Sequence, residues 1–251
     1  MLQADAGFDL VIAGSFLLSD AVVDVARANP ATHFVLVDPL VIPSGPANLQ
    51  VLVFRDDQAA FVAGALAGLV TQTGVVAGIY GPQGTGDQNN RLGFEHGARY
   101  VRPDVKTLGA YQPAHDGEPY ANPAWGAAQA RTFSSQQADV IFAAGGTTGQ
   151  GALLAAAQAG RRCIAADIAQ STDPGVAACL LASSLKFIDH GVRLTVVDAI
   201  AGRWHAGVRT LGLADGAVGL SPLRQSLPPG QTQRLQRVIT MLATGALSTG
   251  A

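Results

Sequence analysis

The side chains best placed for chemistry are polar residues that close runs of apolar, β-branched sequence. In chain order they are Ser15, Asp38, Arg55, the loop 81–90 with Arg91, the loop 111–122, Thr147, Thr148, Asp167 and Lys186. Ligands of open parallel sheets sit beyond the carboxyl ends of the strands, so these are candidate binding groups. Asp167 closes the run Cys163-Ile164-Ala165-Ala166. A carboxylate there can accept hydrogen bonds from two sugar hydroxyls, or it can cap the turn at 168–174. Lys186 ends the next apolar run, and its ammonium needs a polar partner because a dry, unpaired charge is costly. Neighbouring parallel strands would bring Asp167 and Lys186 together, either as a structural ion pair or as two arms of a ligand site. Gly145-Gly146-Thr147-Thr148-Gly149-Gln150-Gly151 follows a strand and opens a helix. Such a segment suits a hydroxyl or anion site built from backbone N–H groups, or a tight turn that needs a flexible backbone. It lacks a P-loop lysine and does not have G-x-G-x-x-G spacing.

Covalent chemistry has little support. There is no G-x-S-x-G elbow to activate a serine and no H-E-x-x-H pair, and the histidines at 33, 96, 115, 190 and 205 are scattered. Cys163 and Cys179 form no C-x-x-C pair and have no histidine close by in sequence, which argues against a metal. They read as two buried thiols, with a disulfide between neighbouring strands left open by the spacing. No catalytic residue, metal or cofactor is assigned. The pattern reads as a binder, and an α/β enzyme is the weaker alternative that fold alone leaves standing.

The elements that must position these groups alternate. Strands are expected at 8–13, 33–38, 51–54, 74–80, 105–111, 138–144, 163–167, 179–185 and 208–213. Helices are expected at 17–28, 58–72, 89–100, 124–136, 152–159, 188–204 and 234–247. Gly64 and Gly68 permit close packing of the second helix. This order predicts an α/β fold with mainly parallel sheets and helices on both faces. The 251 residues suffice for two small lobes, 48% are hydrophobic and only 14% are charged. A net charge of −2 without any Lys/Arg run makes nucleic acid or an anionic membrane a poor partner. No apolar stretch reaches the roughly 18 residues of a membrane span. Residues 1–9 show no basic, apolar or lipid-attachment signal of export.

Several segments fall in a familiar order. They are Gly14-Ser15-Phe16-Leu17-Leu18-Ser19-Asp20-Ala21, Phe54 through Phe61-Val62-Ala63-Gly64, Arg91-Leu92-Gly93-Phe94-Glu95-His96-Gly97, Gly145-Gly146-Thr147-Thr148-Gly149, Asp167-Ile168-Ala169-Gln170, and Leu211-Gly212-Leu213 with the stretch from Gly216 to Pro222. Together they resemble the basic membrane protein (BMP) family of solute-binding proteins, which includes the purine-nucleoside receptor lipoproteins of bacterial ABC transporters. The resemblance implies a type I periplasmic-binding-protein fold with two Rossmann-like lobes joined by three crossings. Lobe I would hold residues 1–55 and 187–213, and lobe II residues 56–186 and 214–251. It implies an exported, membrane-associated lipoprotein that binds a nucleoside between its lobes and delivers it to an ABC permease. An intracellular ligand-sensing domain of the same fold is the alternative.

By the same resemblance, Arg91 would lie at a helix N-terminus facing the ligand, and Tyr120 would stack on the base. Gly146 and Thr147 would form the turn approaching the ligand, and Asp167 and Lys186 would hold ribose hydroxyls. Ser15, Phe16 and Asp38, at the first strand ends, complete the candidate ligand-binding set. The sequence departs from the family pattern in three ways. It starts at what would be the family's third strand, which predicts an incomplete first lobe with an open edge. Ala169 replaces a second acidic residue, and 112–118 reads as an insertion before Tyr120.

Overall fold

The computed structural model describes residues 7–14, 18–39, 41–167 and 174–251. Two compact units emerge, one from Met1–Arg55 with Phe187–Ala217 and the other from Asp56–Lys186 with Val218–Ala251. The chain passes between them at 55/56, 186/187 and 217/218.

The first unit is built on a four-stranded parallel sheet, ordered β1 (Leu10–Gly14), β2 (His33–Val37), β3 (Leu49–Phe54), β9 (Gly207–Leu211). Helix α1 (Ser19–Ala28) covers one face, burying Val22, Val23 and Ala26 against Phe34, Leu36, Leu49 and Val51. Helix α6 (Ile188–Ile200) lies over β3 and β9, with Gly191 admitting Phe54 and Leu211. The buried side chains of Gln50 and Asn48 are both hydrogen-bonded. Gln50 accepts from the Thr195 hydroxyl at 2.9 Å and donates to the His205 carbonyl at 2.6 Å. The Asn48 amide reaches the carbonyls of Ala26, Asn29 and Thr32 at 3.0, 2.9 and 2.7 Å, closing the end of α1. Strand β1 forms an edge of this sheet, and its Ile12 is 40% exposed.

The second unit has a six-stranded sheet, ordered β10 (Val218–Leu220), β8 (Leu180–Lys186), β7 (Arg162–Ala165), β6 (Val140–Ala143), β4 (Val75–Pro82), β5 (Lys106–Gln112). All neighbours are parallel except β10, which runs antiparallel to β8. Around it stand α2 (Asp56–Val70), α3 (Thr85–Val101), α4 (Pro123–Ser135), α5 (Gly146–Gln158) and α7 (Pro229–Ala243). Apolar runs form the central strands because both of their faces are covered. Helices α2 and α3 touch backbone to backbone. A Cβ on Gly64 would overlap the Phe94 carbonyl, and one on Gly97 would overlap that of Phe61. One on Gly68 would sit 2.7 Å from the Ala98 carbonyl oxygen. No helix among the described residues is long and apolar enough to cross a membrane.

Five expectations change. Helix α3 begins at Thr85 rather than at residue 89, so more than half of the expected loop 81–90 belongs to its first turns. Helix α5 begins at Gly146, so the glycine-rich segment is helix rather than a turn leading to one. Helix α6 ends at Ile200, and β10 is a strand too short to stand out in sequence. Cys163 and Cys179 are not two thiols. Their Cα atoms lie 5.3 Å apart and a disulfide joins them. It closes a loop with a sequence separation of 16, worth about 3 kcal/mol by loop entropy. A Cys163→Ala/Cys179→Ala variant is expected to lose about that much in urea unfolding. An unchanged midpoint would show the bond adds nothing.

Candidate functional site

The parallel strands of the second unit end on one side, and their loops build a pocket there. Ala144, Gly145, Gly146, Thr147 and Gln150 at the start of α5 form one wall, and Ala166 and Asp167 after β7 form the other. The cavity measures about 360 Å³. Gly145 and Gly146 take φ values of 90° and 62°, which bring the backbone to the cavity as no other residue does readily. Asp167 is also left-handed, at φ 67°, a conformation that aspartate tolerates better than most residues.

A carboxylate-rich cluster lies beside this pocket. Lys186, at the end of β8, donates its backbone N–H to the Asp167 carbonyl at 3.3 Å. Its ammonium lies 3.2 Å from Asp56 Oδ1 at the start of α2, with both side chains nearly buried. Asp87, in the first turn of α3, is buried. Its Oδ1 accepts the Gly81 N–H at 2.9 Å, and its Oδ2 accepts the Tyr120 hydroxyl at 3.1 Å. Burial pushes the Asp87 carboxyl up to about 6, opposed by the hydrogen bonds from Tyr120 and Gly81. Burial, with the Asp87 charge second, pushes the Tyr120 phenol up to about 12.

Tyr120 is held from several sides at φ 63°. Its carbonyl accepts from Thr148 N and Thr147 Oγ1, each at 3.3 Å. Its N–H donates to Gln112 Oε1 at 3.2 Å, and the same oxygen accepts the Thr148 hydroxyl at 2.8 Å. Gln112 Nε2 donates to the carbonyls of Asp116 and Glu118 at 3.1 and 2.9 Å. The buried Gln112 amide thus organises the loop 113–121. Asn122 then caps α4 by accepting the Trp125 N–H at 3.0 Å.

The sequence pattern of a family described as ABC transporter substrate-binding protein PnrA-like (Bmp) matches residues 2–242. The chain belongs to the Bmp family. Basic membrane protein B of Borreliella burgdorferi is 29% identical over 219 residues, covering 85% of this chain and 63% of that protein. The CD4+ T-cell-stimulating antigen of Listeria monocytogenes is 29% identical over 233 residues, covering 85% and 62%. The chain therefore spans less than two thirds of the length of these relatives. Among solved structures, a transcriptional activator of the comK gene from Bacillus halodurans superposes with a TM-score of 0.83 at 19% identity, covering 97% of this chain and 81% of that one. An ABC transporter solute-binding protein from Aeropyrum pernix K1 gives 0.76 at 20%, covering 98% and 78%. The likeness establishes the α/β fold of type I solute-binding proteins.

For this Bmp family member the candidate residues separate clearly. Gly146, Thr147 and Asp167 meet at the pocket. Lys186 lies next to Asp167 through the backbone, and its ammonium forms an ion pair with Asp56. The ring of Tyr120 is turned onto Gly81, and its backbone stands behind Gly146. Arg91 does not lie at a helix N-terminus, because α3 starts at Thr85. Its Nε bonds Glu95 at 2.8 Å and its guanidinium covers the Tyr111 ring at 5.0 Å, on the β5 side of the sheet. Asp38 closes β2 in the first unit at φ 53°, donating its N–H to the Leu52 carbonyl at 2.9 Å. Ser15 and Phe16 lie outside the described residues. The sequence does not point to Asp56, and it marks Asp87 and Gln112 only as members of the loops 81–90 and 111–122. Asp56 opens α2, Asp87 lies in the first turn of α3 and Gln112 closes β5, and a helix start or strand end is the signal that could have found them.

Proposed function

We propose that the chain is an extracytoplasmic solute-binding component of an ABC importer, taking a small hydroxyl-bearing ligand of the purine nucleoside class and catalysing no reaction. The observation that carries this reading is the pocket at the ends of β6 and β7, where a left-handed Asp167 faces the glycine turn of α5. A carboxylate and backbone N–H groups across one cavity suit a ligand rich in hydroxyls, such as a ribose. Tyr120 would serve the base, and membership of the Bmp family supports delivery to a permease. The disulfide favours an oxidising compartment over an intracellular sensor.

Calorimetry with guanosine, inosine, adenosine, free ribose and a nucleoside monophosphate tests the ligand class. A nucleoside is expected to bind with a Kd of roughly 1 μM, about −8 kcal/mol. No heat with any nucleoside, or equal heat with ribose alone, would remove the nucleoside assignment. Release of free base during the titration would overturn the absence of catalysis.

A further inference from the structure

We propose that Asp87 is a positioning residue of this site, a carboxylate latch that holds Tyr120 and the first turn of α5 in the arrangement that receives the ligand, so that affinity follows its ionisation. This rests on reading the pocket as the ligand site. The ends of four elements and one loop converge on the latch. Asp87 belongs to α3 and ties the Gly81 N–H of β4 to the Tyr120 hydroxyl of the loop. The Tyr120 carbonyl holds Thr147 and Thr148 of α5, and Gln112 of β5 bridges Tyr120 N and Thr148 Oγ1. Gly145 presses against Gly81 closely enough that a Cβ would overlap its nitrogen. Moving Tyr120 therefore moves the pocket wall.

Both carboxylate oxygens of Asp87 already face donors, so a proton on either weakens or redirects one of these bonds. The Gly81 N–H is fixed by β4, whereas the phenol can turn. Protonation thus weakens the bond to Tyr120 or reverses its direction. The groups facing Asp87 are Asp167 after β7, Lys186 of β8 with its partner Asp56 of α2, Tyr120 of the loop, and Tyr80 and Tyr111 of β4 and β5. Arg91 and Glu95 lie further along α3. Burial brings the Asp87 carboxyl up to about 6. The latch is therefore charged and closed at neutral pH and loosens in mild acid.

Asp87→Asn tests this. Asparagine keeps an acceptor for Gly81 and a donor for the phenol oxygen but cannot titrate. The first readout needs no ligand: hydrogen exchange of 113–122 and 145–149, corrected for intrinsic rates. The wild type is expected to exchange roughly tenfold faster at about pH 5 than at about pH 7.5, and Asp87→Asn equally at both. The second is titration with guanosine and inosine, where wild-type affinity should fall roughly three- to tenfold over the same range and the variant's should not. An equal pH step in both proteins, or none in the wild type, overturns the latch. A step in exchange with flat affinity overturns its link to the ligand. If no nucleoside binds, the ligand class fails and exchange alone decides the latch. Should Asp87→Asn not fold, Tyr120→Phe removes the same bond and is expected to abolish the exchange step.

Discussion

Replacing Lys186 with methionine is expected to cost about 3–5 kcal/mol of stability and to abolish nucleoside binding. The stability loss follows from Asp56. Its carboxylate is only 13% exposed and lies 3.2 Å from the Lys186 ammonium, so the variant leaves a buried charge without that cation. Stability and function can then be separated. In the double variant Asp56→Asn/Lys186→Met that carboxylate charge is gone as well, and most of the lost stability should return, since apolar or neutral replacement of a buried pair is close to neutral. Binding should not return if Lys186 donates to ligand hydroxyls beside Asp167. Urea unfolding and calorimetry on the three proteins decide the matter. A double variant that binds guanosine like the wild type would reduce Lys186 to a structural ion pair. A single variant as stable as the wild type would mean the pair carries no weight in folding.

That experiment bears on how the sequence could be read. The need of Lys186 for a polar partner was legible, because a lysine closing an apolar run cannot stay dry and unpaired. Which partner it meets was not. Asp56 belongs to α2, far away in sequence, and only the crossovers of the sheet bring the two together. The strands were easier. Runs such as Val140–Ala143 are apolar throughout because helices cover both faces of a parallel sheet, and that burial is written into the residues themselves. Helix starts were harder. Thr85, Gly86 and Asp87 look like loop residues, and their role as a first helical turn depends on Gly81 and Tyr120 supplying partners for Asp87. The same holds for Gly146, whose positive φ conceals the start of α5.

The site divides along the same line. Asp167, Gly146 and Thr147 stand directly at strand ends, so topology alone placed them at the pocket. Arg91 falls away from the helix start because α3 begins at Thr85, and the intervening turns of helix carry its side chain out of the region the terminus faces. Gln112 went unnoticed because an amide becomes informative only when its partners are known. Its oxygen serves two donors and its nitrogen two carbonyls.

Gly64→Ala is expected to destabilise the protein by upwards of about 4 kcal/mol, or to prevent folding. On intrinsic propensity alone the change would stabilise a helix by about 1 kcal/mol, so the sign itself is the test. The added methyl meets the backbone carbonyl of Phe94, which cannot turn aside as a side chain could. Relief requires α3 to move away from α2, and α3 is fixed on its other face, where Phe94 stacks on Phe142 of β6 at 4.9 Å between ring centres. A shift of α3 would also carry Asp87 away from Gly81 and Tyr120, so the damage would reach the pocket wall through the latch. Gly230 supplies the control. It lies in the first turn of α7 with nothing near its missing Cβ, and Gly230→Ala should be neutral or slightly stabilising. Thermal and urea unfolding of the two variants compare them directly. If Gly64→Ala proves as stable as Gly230→Ala, the contact between α2 and α3 is looser than this geometry requires, and their shared glycines do not hold the second unit together.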